Sequence, residues 1–117
     1  MTDFKKELLE EAIDLVSGPK ADSYGDATVN HMRIAQFWNT WIMNRTWQGS
    51  LTAYDVSMMM ALVKFARCQH RPAHDSHVDI AGYAAVSENI YEDLVGVKEK
   101  EEEQENGGKD APPTEAE

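Results

Sequence analysis

The stretch from Thr52 to about Leu94 limits the folds open to this chain more than any other. Its first part is apolar at helical spacing through Val56, Met59, Met60, Val63 and Ala66. A polar turn follows, and then Val78, Ile80, Ala81, Ala84, Ala85, Val86, Ile90 and Leu94 form a second apolar set. Two amphipathic helices joined by a short turn pack as antiparallel neighbours. Charges ride on both. Lys64 and Arg67, three residues apart, share one helical face, and Asp75, Asp79 and Tyr83, spaced by four, share another. A turn centred near Ala73 predicts Arg67 opposite Asp79, and Lys64 opposite Gly82 and Tyr83. The seam then reads in two ways: as a site for a small anionic ligand, or as a salt-bridge network whose members neutralise one another. Buried charge is costly unless paired, so such a network is weak evidence of stability and a functional use is a fair rival.

Around this pair the expected fold is all-α, with four main helices. The first covers residues 3–17, with Phe4, Leu8, Ala12 and Leu15 in line, Thr2 or Asp3 as cap, and Ser17-Gly18-Pro19 as stop. A polar loop over 18–29 centres on Tyr24-Gly25-Asp26, where the glycine admits a positive φ or a close approach. The second helix, capped by Thr28 or Asn30, runs to about Met43 with a bulky face of Ile34, Phe37, Trp38, Trp41 and Ile42. Asn30 stands at its start, where unpaired backbone N–H groups favour anions. Trp47 reads as a lid on the core edge. Thr52 and Asp55 have capping-box spacing. The last helix starts near Asp75 or Ser76 and runs to about Leu94. Cys68, His70, His74 and His77 match no standard zinc spacing, and a polar helix-to-helix turn is the better reading.

A chain of 117 residues is one domain at most, and its 42% hydrophobic content allows a modest core. The formal charge of -10 argues against general nucleic-acid binding, which needs a basic surface. Eight acids and three lysines fall between Lys98 and Glu117, so the expected division is a helical domain over 1–97 and a disordered acidic tail over 98–117. The single cysteine, Cys68, allows no internal disulfide. The first residues hold no apolar signal core, and no apolar run nears the roughly 18 residues of a membrane span. The expectation is a soluble, cytoplasmic protein with no membrane partner. The small residues Ala81-Gly82-Tyr83-Ala84-Ala85 allow close helix approach, within the chain or in a homo-oligomer.

Two carboxylates four apart, Asp75 and Asp79, can hold a divalent cation through hard oxygen ligands, and Mg2+ bridges to substrate phosphates with few protein ligands. Lys64 and Arg67 can take phosphate oxygens, the arginine in two-pronged fashion. Tyr83, Tyr24 or Trp38 can stack on a base. With Asn30, these residues make a candidate site for a nucleotide or other phosphate-bearing small molecule.

The set Tyr24-Gly25-Asp26, Asn30, Trp38, Asp55-Val56, Met59-Met60, Lys64-x-x-Arg67 and Asp75-x-x-x-Asp79-Ile80-Ala81-Gly82-Tyr83 resembles a family of small phage and prophage proteins without established function. The resemblance covers about residues 5–95. More distantly it resembles the MazG-like, all-α nucleotide pyrophosphohydrolases, which are helical oligomers that cleave nucleoside triphosphates with magnesium. That likeness implies a MazG-like bundle, Asp75 and Asp79 at the later acidic motif, and Lys64 and Arg67 as phosphate contacts. Those enzymes place Glu-x-x-Glu on an early helix; Glu7-Leu-Leu-Glu10 has that spacing only on the opening helix, before the Tyr-Gly loop. Three functions stand open at this point: a pyrophosphohydrolase, a non-catalytic protein that sequesters a nucleotide immune signal, and an acidic adaptor that inhibits a host protein.

Overall fold

The structure, a computed structural model, describes residues 1–19 and 25–105, and over 97–105 the backbone alone. It is all-α, with helices α1 (Phe4–Ser17), α2 (Ala27–Asn44), α3 (Ala53–His70) and α4 (His74–Glu105). α4 runs on to Glu105, and residues 106–117, where the rest of the expected acidic tail falls, lie outside the described ones. No described helix is long and apolar enough to cross a membrane.

Local chemistry sets the helix starts. The Asp3 carboxylate accepts from the Lys6 N–H at 3.2 Å and opens α1. α2 begins before Thr28 and Asn30. Gly25 takes φ +74, and Asp26, the residue after it, accepts from the Val29 N–H at 3.0 Å as the true cap. Asn30 sits one turn inside α2 instead, buried, with its N–H on the Asp26 carbonyl. α3 opens with the expected capping box between Thr52 and Asp55. It ends at His70, where Arg71 turns extended ahead of Pro72.

α3 is the central strut. α2 packs along one side of it and α4 along another, while α1 packs against no other helix among the described residues. The Trp38 indole donates to the Met59 carbonyl at 2.7 Å and the Trp41 indole to Asp55 at 2.9 Å, which fixes an antiparallel α2–α3 register. On the other side the buried hydroxyls of Ser57 and Ser87 meet at 2.7 Å. One donates across, leaving the other to donate to a carbonyl of its own helix, Tyr54 or Tyr83. Clamped on two faces, α3 buries Met59, Ala61 and Ala66, while Val56 falls between the faces and stays half exposed. Of the expected stripe, Met59 and Ala66 are buried, Met60 and Val63 are half buried and Val56 is exposed: contacts on two sides, not a single apolar arc, decide burial here.

Asp55 joins these parts. Its carboxylate is fully buried. It accepts from Trp41 and Trp47, from the Thr52 hydroxyl and N–H, and from Arg45 at 2.6 Å. Arg45 also donates to the Gly49 carbonyl at 2.7 Å. Trp41, Trp47 and Tyr54 pack edge-on or tilted around the group, with ring centroids 6.1 to 6.3 Å apart. Burial alone would raise the Asp55 carboxyl. The hydrogen bonds from Thr52, Trp41 and Trp47 outweigh it and hold the group well below the usual carboxylate range.

Because the folded value is depressed, this stabilisation is complete above the unfolded carboxyl's value of about 3.9 and is lost as pH falls below it. Asp55→Ala strands the buried Arg45 and removes the α3 cap, so urea unfolding should show a loss of at least about 3 kcal/mol. Lys6→Ala breaks an exposed pair with Glu10 and should cost under about 0.5 kcal/mol. The difference in stability between wild type and Asp55→Asn should shrink as pH drops from about 6 to 3.

Candidate functional site

The antiparallel α3–α4 pair carries the seam, but one step out of the expected register. Lys64 pairs with Asp79, at 3.1 Å. α4 begins at His74, so the turn centres on Pro72 rather than Ala73. Moving a hairpin's centre by one residue shifts its pairing by two, which brings Asp79 level with Phe65 and within reach of the neighbouring Lys64.

Beside the ion pair a hollow of about 420 Å³ opens between the two helices. Lys64, Arg67 and Arg71 line it from α3 and its end; Ala73, Asp75, Ser76 and Asp79 line it from the turn and α4. The first-turn amides of α4 have no carbonyl partner within the helix, which adds positive potential at this end. Among the described residues three cations and two carboxylates line it, with Lys64 paired to Asp79, so the described lining is basic in a chain of formal charge -10.

Of the expected site residues, the structure brings Lys64, Arg67, Asp75 and Asp79 to one place. Tyr83 does not line the hollow; it is half buried one turn beyond Asp79, and its carbonyl takes the Ser87 hydroxyl. Asn30 does not line it either. The register set by Trp38 and Trp41 carries Asn30 to the level of Ala66 and Arg67, on the α2 side of α3. Tyr24 lies outside the described residues. Sequence reasoning missed Arg71 and Ser76. Lys64, Arg67 and Arg71 follow at i, i+3 and i+7, a signal that was present in the sequence. Ser76 gave none until the start of α4 was known.

A magnesium ion at Asp75 and Asp79 would have to share Asp79 with the Lys64 ammonium, whose positive charge opposes it. Among the described residues no three His, Cys, Asp or Glu side chains are grouped to hold a metal ion. This donor set does not fit a resident catalytic ion.

Residues 7–91 match a family described as a domain of unknown function, DUF6378. The chain is 40% identical over 84 residues to the Gene 55 protein of Mycobacterium phage L5, covering 71% of this chain and 51% of that protein. It is 35% identical over 89 residues to the Gene 55 protein of Mycobacterium phage D29, covering 75% and 56%. The chain thus spans about half the length of the curated relatives it matches. No solved structure matches.

Gly25 packs against the end of α3 that leads into the hollow. A Cβ there would sit 2.7 Å from the His70 ring, on a backbone at φ +74. Gly25→Ala should cost about 1–2 kcal/mol from the left-handed backbone alone, read by urea denaturation. Adding His70→Ala should recover the steric share and leave the backbone share.

Proposed function

Since the chain belongs to the DUF6378 family, a domain of unknown function with relatives among mycobacteriophage proteins, we propose that it captures a phosphate-bearing small molecule of nucleotide type without hydrolysing it. The observation that carries this reading is the α3–α4 hollow. Arg67 and Arg71 enter it together, with a helix N-terminal turn on the opposite wall. Guanidinium forks match phosphate oxygens two at a time, and helix amides add donors without adding charge. The volume is in the range of small-molecule sites.

Capture is preferred to turnover because the carboxylates point that way. Hydrolysis of a phosphoanhydride by this type of site needs a metal to generate the attacking water. Asp79 is engaged by Lys64, leaving Asp75 as the one carboxylate of the hollow without an ion pair among the described residues. A Mg2+ ion arriving on a ligand's phosphates would find Asp75 as its protein ligand, in an accessory role. The distant likeness to MazG-like pyrophosphohydrolases rests on the sequence motifs and supports the nucleotide class of the ligand, not the reaction.

A thermal-shift screen of nucleoside mono-, di- and triphosphates and cyclic nucleotides, with magnesium or with chelator, tests this. A ligand at about 100 times its Kd adds about 2.7 kcal/mol to the folded state and should raise the melting temperature by several degrees. The shift should persist in chelator, vanish in Arg67→Ala and Arg71→Ala, and be accompanied by no pyrophosphate release. A flat screen contradicts capture, and release of pyrophosphate from a bound triphosphate would make the protein an enzyme.

A further inference from the structure

We infer that α1 of one copy of this chain seats in a trough along α2 and α3 of a second copy, so that two chains exchange their first helices. Half the circumference of α1 is apolar apart from Lys5 near its start. Phe4, Leu8, Leu9, Ile13, Leu15 and Val16 lie there, each 59–76% exposed, and the helix packs on nothing in its own chain among the described residues. Six large apolar side chains on one helix, all facing water, need a cover.

The trough supplies one. Two hollows of about 470 and 190 Å³ share Phe37 and Thr40, and so run together along α2. Phe37, Trp41, Trp47 and Leu62 form its apolar wall, with Arg33 toward one end and Arg45 toward the other. From Arg33 to Arg45 the helix rises about 18 Å, and the fourteen residues of α1 span about 21 Å. The charges also match. The chain holds 21 acidic and 11 basic residues, yet no carboxylate lines either hollow among the described residues. The half of α1 away from its apolar arc carries Glu7, Glu10, Glu11 and Asp14. An acid-backed apolar helix thus meets an apolar trough with no carboxylate on its described lining and with Arg33 as a basic side chain at one end, Arg45 at the other being already paired with Asp55.

A second copy is the occupant because the chain's own α1 stands clear of α2, α3 and α4. Val78, Val86 and Leu94 of α4 are also about half exposed, as expected of a subunit whose apolar faces close only on assembly. The contact is independent of the proposed ligand site, which lies between α3 and α4.

Light scattering on the full chain should give twice the 13.2 kDa subunit mass. Leu8→Glu with Ile13→Glu should reduce this to one subunit and leave the helical circular dichroism of the remaining domain in place. In a Cys68→Ser background, a Leu8→Cys protein mixed with a Thr40→Cys protein and a short bis-maleimide should give a covalent heterodimer. A wild type of single-subunit mass would overturn the inference. So would a dimer that survives both glutamates, a dimer that forms no such link, or a link formed inside one chain carrying both cysteines.

Discussion

One buried carboxylate holds the two ends of α2 and α3 together. Asp55 closes the first turn of its own helix, receives the indoles of Trp41 and Trp47, and neutralises Arg45. An ionised group taken out of water costs several kcal/mol unless its oxygens are filled by well-placed donors. Here both oxygens are filled, from three separate segments: the end of α2, the 45–52 connection and the cap of α3. A carboxylate satisfied only when all three are in place favours one arrangement of them. Stability and specificity of the α2–α3 corner then come from the same atom set, and the aromatic rings around it exclude the water that would otherwise compete.

From that corner the geometry of the rest follows. Anchored near Asp55, α2 lies antiparallel along α3 until Gly25 meets His70 at the far end. The opposite side of α3 is fixed to α4 by Ser57 and Ser87 near one end and by Lys64 and Asp79 near the other. The basic hollow opens beyond the second of these contacts, where Pro72 forces the chain to reverse. It is a product of register: the same residues paired two positions differently would oppose Arg67 to Asp79 and leave Lys64 beside Tyr83.

Much of this was legible in the sequence, and what was not has physical causes. Periodicity and caps place four helices, and the Thr52–Asp55 spacing announces the capping box. The gathering of Lys64, Arg67, Asp75 and Asp79 follows from a two-helix hairpin whatever its exact centre. The role of Asp55 beyond the cap was hidden, because Trp41, Arg45 and Trp47 stand 8 to 14 residues away and indoles read as apolar in a periodicity argument. Thr28 and Asn30 both have the side chain of a helix cap, yet Asp26, seated after a positive-φ glycine, starts α2 ahead of them. Apolar periodicity also cannot say which chain covers a face. The stripe on α1 is as clear as any in the protein, and the chain's own core leaves it uncovered.

The central claim is that the hollow between α3 and α4 takes the phosphates of a small molecule. Backbone and arginine side-chain NMR shifts of the full chain, followed while ATP is added, test it most directly. Saturating changes are expected at Lys64, Arg67, Arg71, Asp75 and Ser76, with the Trp41 and Trp47 indoles unmoved. Changes concentrated at those indoles, or none at millimolar nucleotide, would contradict it.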